Sequence, residues 1–107
     1  MPSQLGIKIN ELRRAKGLTL EQLAQATGSS KSYMWEIENK EVARPSAEKL
    51  DRIADALGVT SDFLIDATQT QPSEDVADRA FYRKYQRADP TVKDKLKRIL
   101  DVLDDED

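Results

Sequence analysis

Apolar residues return every three to four positions along most of this chain, a period that predicts helices and no strands. Within residues 7–16, Ile9, Leu12 and Ala15 share one face, and Gly17 follows where a left-handed residue can end a helix. Thr19 then precedes Leu20, Leu23, Ala24 and Thr27, with Gln22 three residues on. A Thr/Gln capping box therefore opens a second helix that stops at Gly28. Ser30 caps a third helix over residues 31–39, whose inward face is Tyr33, Met34 and Ile37. Helices joined through only Gly28 and Ser29 must cross steeply. After a polar loop at 40–44, Pro45 and Ser46 announce a fourth helix carrying Ala47, Leu50, Ile53, Ala54 and Leu57, and Gly58 ends it. Thr60 caps a short fifth helix in which Phe63 and Leu64 close the bundle.

The pattern then breaks, and residues 67–74 read as a linker. Beyond it, Val76, Ala80, Phe81 and Tyr85 recur at helical spacing over 75–87, and Asp89 with Pro90 forms the cap and first position of a last helix. That helix carries Val92, Leu96, Ile99 and Leu103 as a seam, widened by Leu100. The predicted fold is all-α, with a five-helix domain over residues 1–66 and a C-terminal helical hairpin over 75–107. Two helices alone bury too little apolar area to stand by themselves. The hairpin is therefore expected to pair with a second copy or another protein through Phe81, Tyr85, Val92, Leu96, Ile99, Leu100 and Leu103, the alternative being a pack onto the fourth and fifth helices.

Composition narrows the chemistry. The 107 residues include no histidine and no cysteine, which removes the commonest general base and metal ligand together with thiolate nucleophiles. No metal, no cofactor and no enzymatic activity is expected, since the carboxylate pairs lie on solvated faces with nothing to organise a reaction. No apolar run suits a signal peptide or a membrane span, so the expected location is cytoplasmic. Residues 1–65 carry nine basic and nine acidic side chains and residues 66–107 carry eight and eleven, so the formal charge of -3 lies wholly in the second part. An anionic ligand is expected on the front domain. The end, DVLDDED, places acid at a helix C-terminus, where it is expected to fray the last turn; it serves solubility, or binds a basic partner, or repels an anionic polymer held nonspecifically.

The stretch LTLEQLAQATGSSKSYMWEIENKEVARPSAEKLDRIADALGVTSDFLI, residues 18–65, resembles the Cro and phage-repressor type helix-turn-helix family, also called the XRE family. The resemblance rests on LTLEQLA, the Gly28 turn, Ile37-Glu38-Asn39, Arg44-Pro45-Ser46 and ALGVTSDFL. It implies that the third helix enters the major groove of double-stranded DNA while the second lies across the backbone. The family's base-reading positions fall on Ser30, Lys31 and Ser32, with Glu36 one turn later where relatives carry basic or neutral residues. Lys31 can donate to guanine O6 or N7, and Glu36 can accept from cytosine N4. Trp35, on the same outward face, either meets a thymine methyl or sugar or packs on Lys31 or Asn39. Phosphate contacts are implied for Thr19, Gln22, Asn39, Lys40 and Arg44, with helix capping an equally good role for Thr19. Leu20 stands where some phage repressors have a DNA-contacting glutamine, which implies fewer contacts from the second helix. Arg13 and Glu38 match positions that pair in relatives and tie the first helix to the third.

The functional expectation is a dimeric, sequence-specific repressor reading a near-palindromic operator. The alternative is a partner-controlled regulator or antitoxin whose hairpin binds a protein antagonist or toxin.

Overall fold

The computed structural model describes residues 1–42 and 44–105. Ser3 opens α1 (Gln4–Ala15) by accepting the Gly6 N–H on its hydroxyl at 2.9 Å. The helix thus begins three residues ahead of the start that apolar periodicity indicates. The face it buries also shifts toward its N-terminus. Leu5 joins Ile9 and Leu12 against the core, while Ala15 is exposed, contrary to the expected triad. The reason is tertiary: Ala15 borders an open depression that it shares with Leu57, Gly58 and Pro72, and nothing among the described residues fills it to cover the methyl group.

Four further helices follow the expected caps, and a fifth opens at Ser73, inside the expected linker. α2 (Leu20–Ala26) carries the reciprocal Thr19/Gln22 box, the Gln22 backbone N–H donating to the Thr19 hydroxyl oxygen at 3.0 Å and the Thr19 backbone N–H to the Gln22 side-chain Oε1 at 2.8 Å. α3 (Lys31–Asn39), α4 (Ala47–Leu57), α5 (Ser61–Ile65) and α6 (Glu74–Arg87) are capped by Ser30, Ser46, Thr60 and Ser73. Gly28, between α2 and α3, adopts φ +67°, a conformation open to glycine at little cost, which reverses the chain in two residues. α7 (Pro90–Asp105) starts at Pro90, and the Asp89 carbonyl accepts the Lys93 amide at 3.0 Å. α7 continues through Asp105, and Glu106 and Asp107 of the acidic tail lie outside the described residues.

The core is built from Ile9, Leu23, Ala24, Met34, Ile37, Leu50, Ile53, Ala54, Leu57, Val59, Phe63 and Leu64, with Leu20 and Tyr33 half-buried against it. Ala47 is exposed and takes no part, because it sits in the first turn of α4, outside the packed stripe. Three polar residues are buried among the described residues, Thr27, Lys8 and Glu38. Thr27 donates its hydroxyl to the carbonyls of Leu23 and Ala24, both at 3.0 Å. The Lys8 ammonium donates to the carbonyls of Phe63 and Asp66 and lies 3.9 Å from the Phe63 ring centroid, tying α1 to the end of α5. Burial pushes the Lys8 pKa below the ordinary lysine range, partly opposed by the Asp66 carboxylate.

The two C-terminal helices divide their allegiance. α6 packs on α4: Ala80 is buried, Val76 rests on the core, Arg83 lies 3.8 Å from Asp51, and Arg87 pairs with Asp55. On α6, Val76, Ala80, Arg83 and Arg87 share one helical face, which turns Phe81 outward at 59% exposure and leaves Tyr85 half-buried. α7 has no buried residue among those described, although the Lys93 ammonium lies 5.6 Å from the Tyr85 ring centroid near the turn. The molecule is accordingly elongated, 52 Å by 28 Å by 24 Å. No helix among the described residues is long and apolar enough to cross a membrane.

Candidate nucleic-acid interface

The 3.6-residue turn sorts α3 into two faces. Met34 and Ile37 are buried and Tyr33 half-buried, which leaves Lys31, Ser32, Trp35, Glu36 and Asn39 exposed. Lys31, Ser32, Trp35 and Glu36 come together with Leu20 of α2 around a shallow depression of about 300 Å³. Ser30 stands at the head of the helix, where its hydroxyl oxygen accepts the Tyr33 amide at 3.0 Å and keeps its own proton free to donate.

Charge on this face is partly internally balanced. Glu36 lies 3.4 Å from Lys40, one turn on, so a cation accompanies the carboxylate on a surface open to an anionic polymer. Lys40 and Arg44 are exposed beyond the helix end. The Asn39 amide group donates to the Trp35 carbonyl at 2.9 Å, leaving its side-chain oxygen and one N–H for other partners. Thr19 and Gln22 spend one acceptor each on the capping box, so the Thr19 hydroxyl proton and the Gln22 amide hydrogens remain available at the start of α2.

Behind this face, α1 holds α3 through a buried polar cluster. Glu38 is 2% exposed. Arg13 meets it with both ends of its fork, Nε to Oε2 at 2.8 Å and Nη2 to Oε1 at 3.1 Å, and its Nη1 donates to the Leu18 carbonyl at 2.9 Å. Asn10, which the motif does not mark, donates to Glu38 Oε1 at 2.7 Å. Every buried side-chain polar atom among the described residues has a partner, so the carboxylate costs little here and faces away from the open surface. Gly6 is a second residue that sequence reasoning passes over. A Cβ placed there would meet the carbonyl oxygens of Ile37 and Glu38 at 2.6 Å, so α1 and the end of α3 approach backbone to backbone. The Ser3 amide completes the seam by donating to the Lys40 carbonyl at 3.1 Å. A glycine within an otherwise helical stretch is itself the signal of such an approach.

Comparison with known proteins agrees with this arrangement. The helix-turn-helix domain family matches residues 4–67. The transcriptional regulator SinR of Bacillus subtilis is 34% identical over 62 residues, which cover 58% of this chain and 56% of that protein. The chain therefore spans about half the length of the relative it matches. A crystal structure of SinR, described as the master regulator for biofilm formation in complex with DNA, superposes with a TM-score of 0.55 at 34% identity, covering 58% of this chain and 98% of that one. The structure of the SinR/SinI protein complex gives 0.58 over 94% of both chains at 23% identity, a likeness of fold. With its two short capped helices around Gly28, its buried Arg13–Glu38 support and a family match over residues 4–67, the chain belongs to the Cro and phage-repressor type, or XRE, family of helix-turn-helix proteins.

Proposed function

We propose that the chain is a sequence-specific, double-stranded DNA-binding transcriptional regulator, working as a dimeric repressor that reads a near-palindromic operator through α3. The observation that carries this reading is the open face of α3: Lys31, Ser32, Trp35 and Glu36 are exposed side by side, while the helix behind them is locked to α1 by the Arg13–Glu38–Asn10 cluster. A firmly held helix that presents polar side chains to solvent is what base recognition needs. The SinR structure in complex with DNA supports it by similarity. In this reading Ser30, Lys31, Ser32, Trp35 and Glu36 face bases, and Thr19, Gln22, Asn39, Lys40 and Arg44 face phosphates. Residues 1–66 form the reading unit, 67–74 the linker and 75–107 the pairing unit, in a protein of the cytoplasm that performs no catalysis.

Selection of binding sites from a random duplex library by the full chain tests the proposal. The expected winner is near-palindromic with half-sites about 34 Å apart or a multiple of that. Lys31→Ala should lose roughly ten-fold at one base pair per half-site and relax specificity there. Failure to enrich any sequence overturns the reading.

The exposed stripe on α7 favours a specific second role for the C-terminal helices. Val92, Ile99, Leu100 and Leu103 are 45–60% exposed and Leu96 is half-buried. Contiguous apolar surface of this kind marks a contact with another chain. A second copy supplies the dimer, and the SinR/SinI complex shows that a protein of this fold also takes a protein partner. Light scattering of Ile99→Asp/Leu103→Asp distinguishes the two. Halved mass with weakened operator binding is expected for the dimer, while a monomeric parent chain whose DNA affinity is untouched by the change assigns the stripe to a protein antagonist.

A further inference from the structure

We infer that the depression between α2 and α3 is a reading slot for the 5-methyl group of a pyrimidine in the major groove, with Leu20 and Trp35 as its apolar walls. The inference rests on the DNA-reading proposal and names one chemical group that this site recognises. Trp35 is 52% exposed in the middle of an otherwise polar face. Its indole is not occupied by a neighbouring cation, because the cation–π contacts among the described residues belong to Lys8, Lys49 and Lys93. Asn39 engages only the Trp35 backbone carbonyl. The half-exposed ring thus has no cation stacked on it among the described residues, and it borders an open depression.

The rest of the lining indicates the occupant. Leu20, the first residue of α2, is half-buried and supplies a second apolar wall, while Lys31 and Ser32 supply donors and Glu36 an acceptor at the rim. A thymine edge presents an acceptor, O4, beside its methyl, and a 5-methylcytosine edge presents a donor, N4–H, beside the same methyl. Both edges fit an apolar slot with mixed polar rims. The Lys40 ammonium 3.4 Å from Glu36 offsets the carboxylate, and with Lys31 it gives the surroundings the sign that a DNA duplex requires. Leu20 thus contributes through its carbon surface where some relatives use an amide.

The test is a methyl scan of the selected duplex with the full-length chain. Each thymidine is replaced singly by deoxyuridine and each deoxycytidine by 5-methyldeoxycytidine, and affinity is read by anisotropy at fixed salt. One position per half-site should respond about four-fold, the worth of one buried methyl group. A loss on deoxyuridine assigns thymine as the source of the methyl, and a gain on 5-methyldeoxycytidine assigns a methylated cytosine. Trp35→Ala and Leu20→Ala should flatten the response at that position alone, with Trp35→Phe restoring part of it and helicity by circular dichroism unchanged. Trp35 is the only tryptophan of the chain, so its emission should also differ between the methylated and unmethylated duplexes. Tight binding to the selected duplex with no position responding, or a response that persists in Trp35→Ala, overturns the slot while leaving DNA reading intact. A failure to select any duplex overturns both and is a separate result.

Discussion

Arg13→Ala should destabilise the protein by about 3 kcal/mol, the low end of the range for breaking a buried ion pair by removing one partner. The low end applies because Asn10 still donates to Glu38 Oε1 after the guanidinium is gone. What remains is a carboxylate at 2% exposure with one of its oxygens unpaired and no counter-charge. Its loss also frees the Leu18 carbonyl, which Arg13 holds at 2.9 Å at the entry to α2. In a domain of this size a loss of that magnitude lowers the thermal midpoint by on the order of 15 °C. DNA affinity should fall with it, since α3 would lose the anchor that orients its outward face. Arg13→Lys keeps the charge but cannot engage both carboxylate oxygens and the Leu18 carbonyl together, so it should fall between the two. Thermal denaturation and duplex binding at the wild-type midpoint check the expectation. Unchanged values for both would remove the pair from any account of how α3 is held.

Gly6→Ala should be destabilising by about 1–3 kcal/mol, as overpacking generally is. The sign is the informative part, because alanine is better than glycine in a helix interior by roughly 1 kcal/mol. At Gly6 the added Cβ would sit 2.6 Å from the carbonyl oxygens of both Ile37 and Glu38, and backbone atoms cannot swing aside as a flexible side chain can. α1 would have to withdraw from α3, stretching the Ser3–Lys40 bond and the Asn10 and Arg13 contacts to Glu38. Gly17 provides the contrast: nothing lies within 4 Å of its Cβ position, so Gly17→Ala meets only the cost of its φ of +70°. A Gly6→Ala protein that melts higher than the parent would show that the two helices do not meet as tightly as described.

Caps and turns are legible in the sequence because they act within three or four residues. Thr19 with Gln22, Ser30, Ser46 and Thr60 bond to amides in their own first turns, and Gly17, Gly28 and Gly58 take left-handed conformations where the apolar pattern stops. The separation of α3 into buried Met34 and Ile37 against exposed Lys31, Ser32, Trp35 and Glu36 follows from the helical period alone. Ala15 and Ala47 lie on the periodic stripes yet remain exposed, since an apolar stripe is buried only as far as another element reaches along it. Lys8 shows the reverse. A lysine enters the interior here because two carbonyls at the end of α5, 55 and 58 residues away, accept its protons.

By itself, then, the sequence determined the all-helical class, the caps of α2 to α5, the left-handed turn at Gly28, the outward residues of α3 and, through resemblance, the family. These depend on contacts within a turn or two of helix, where spacing and geometry are equivalent. Only the tertiary structure decided which stretch of α1 meets α3, that Gly6 and Asn10 join Arg13 in holding it, and that Leu20 stands beside Trp35 on the open face. It also decided that α6 turns Val76, Ala80, Arg83 and Arg87 toward α4 while α7 keeps its apolar stripe uncovered. Those choices set one helix against another across long stretches of chain, and the amphipathic pattern of a single helix defines the face that must be covered without defining what covers it.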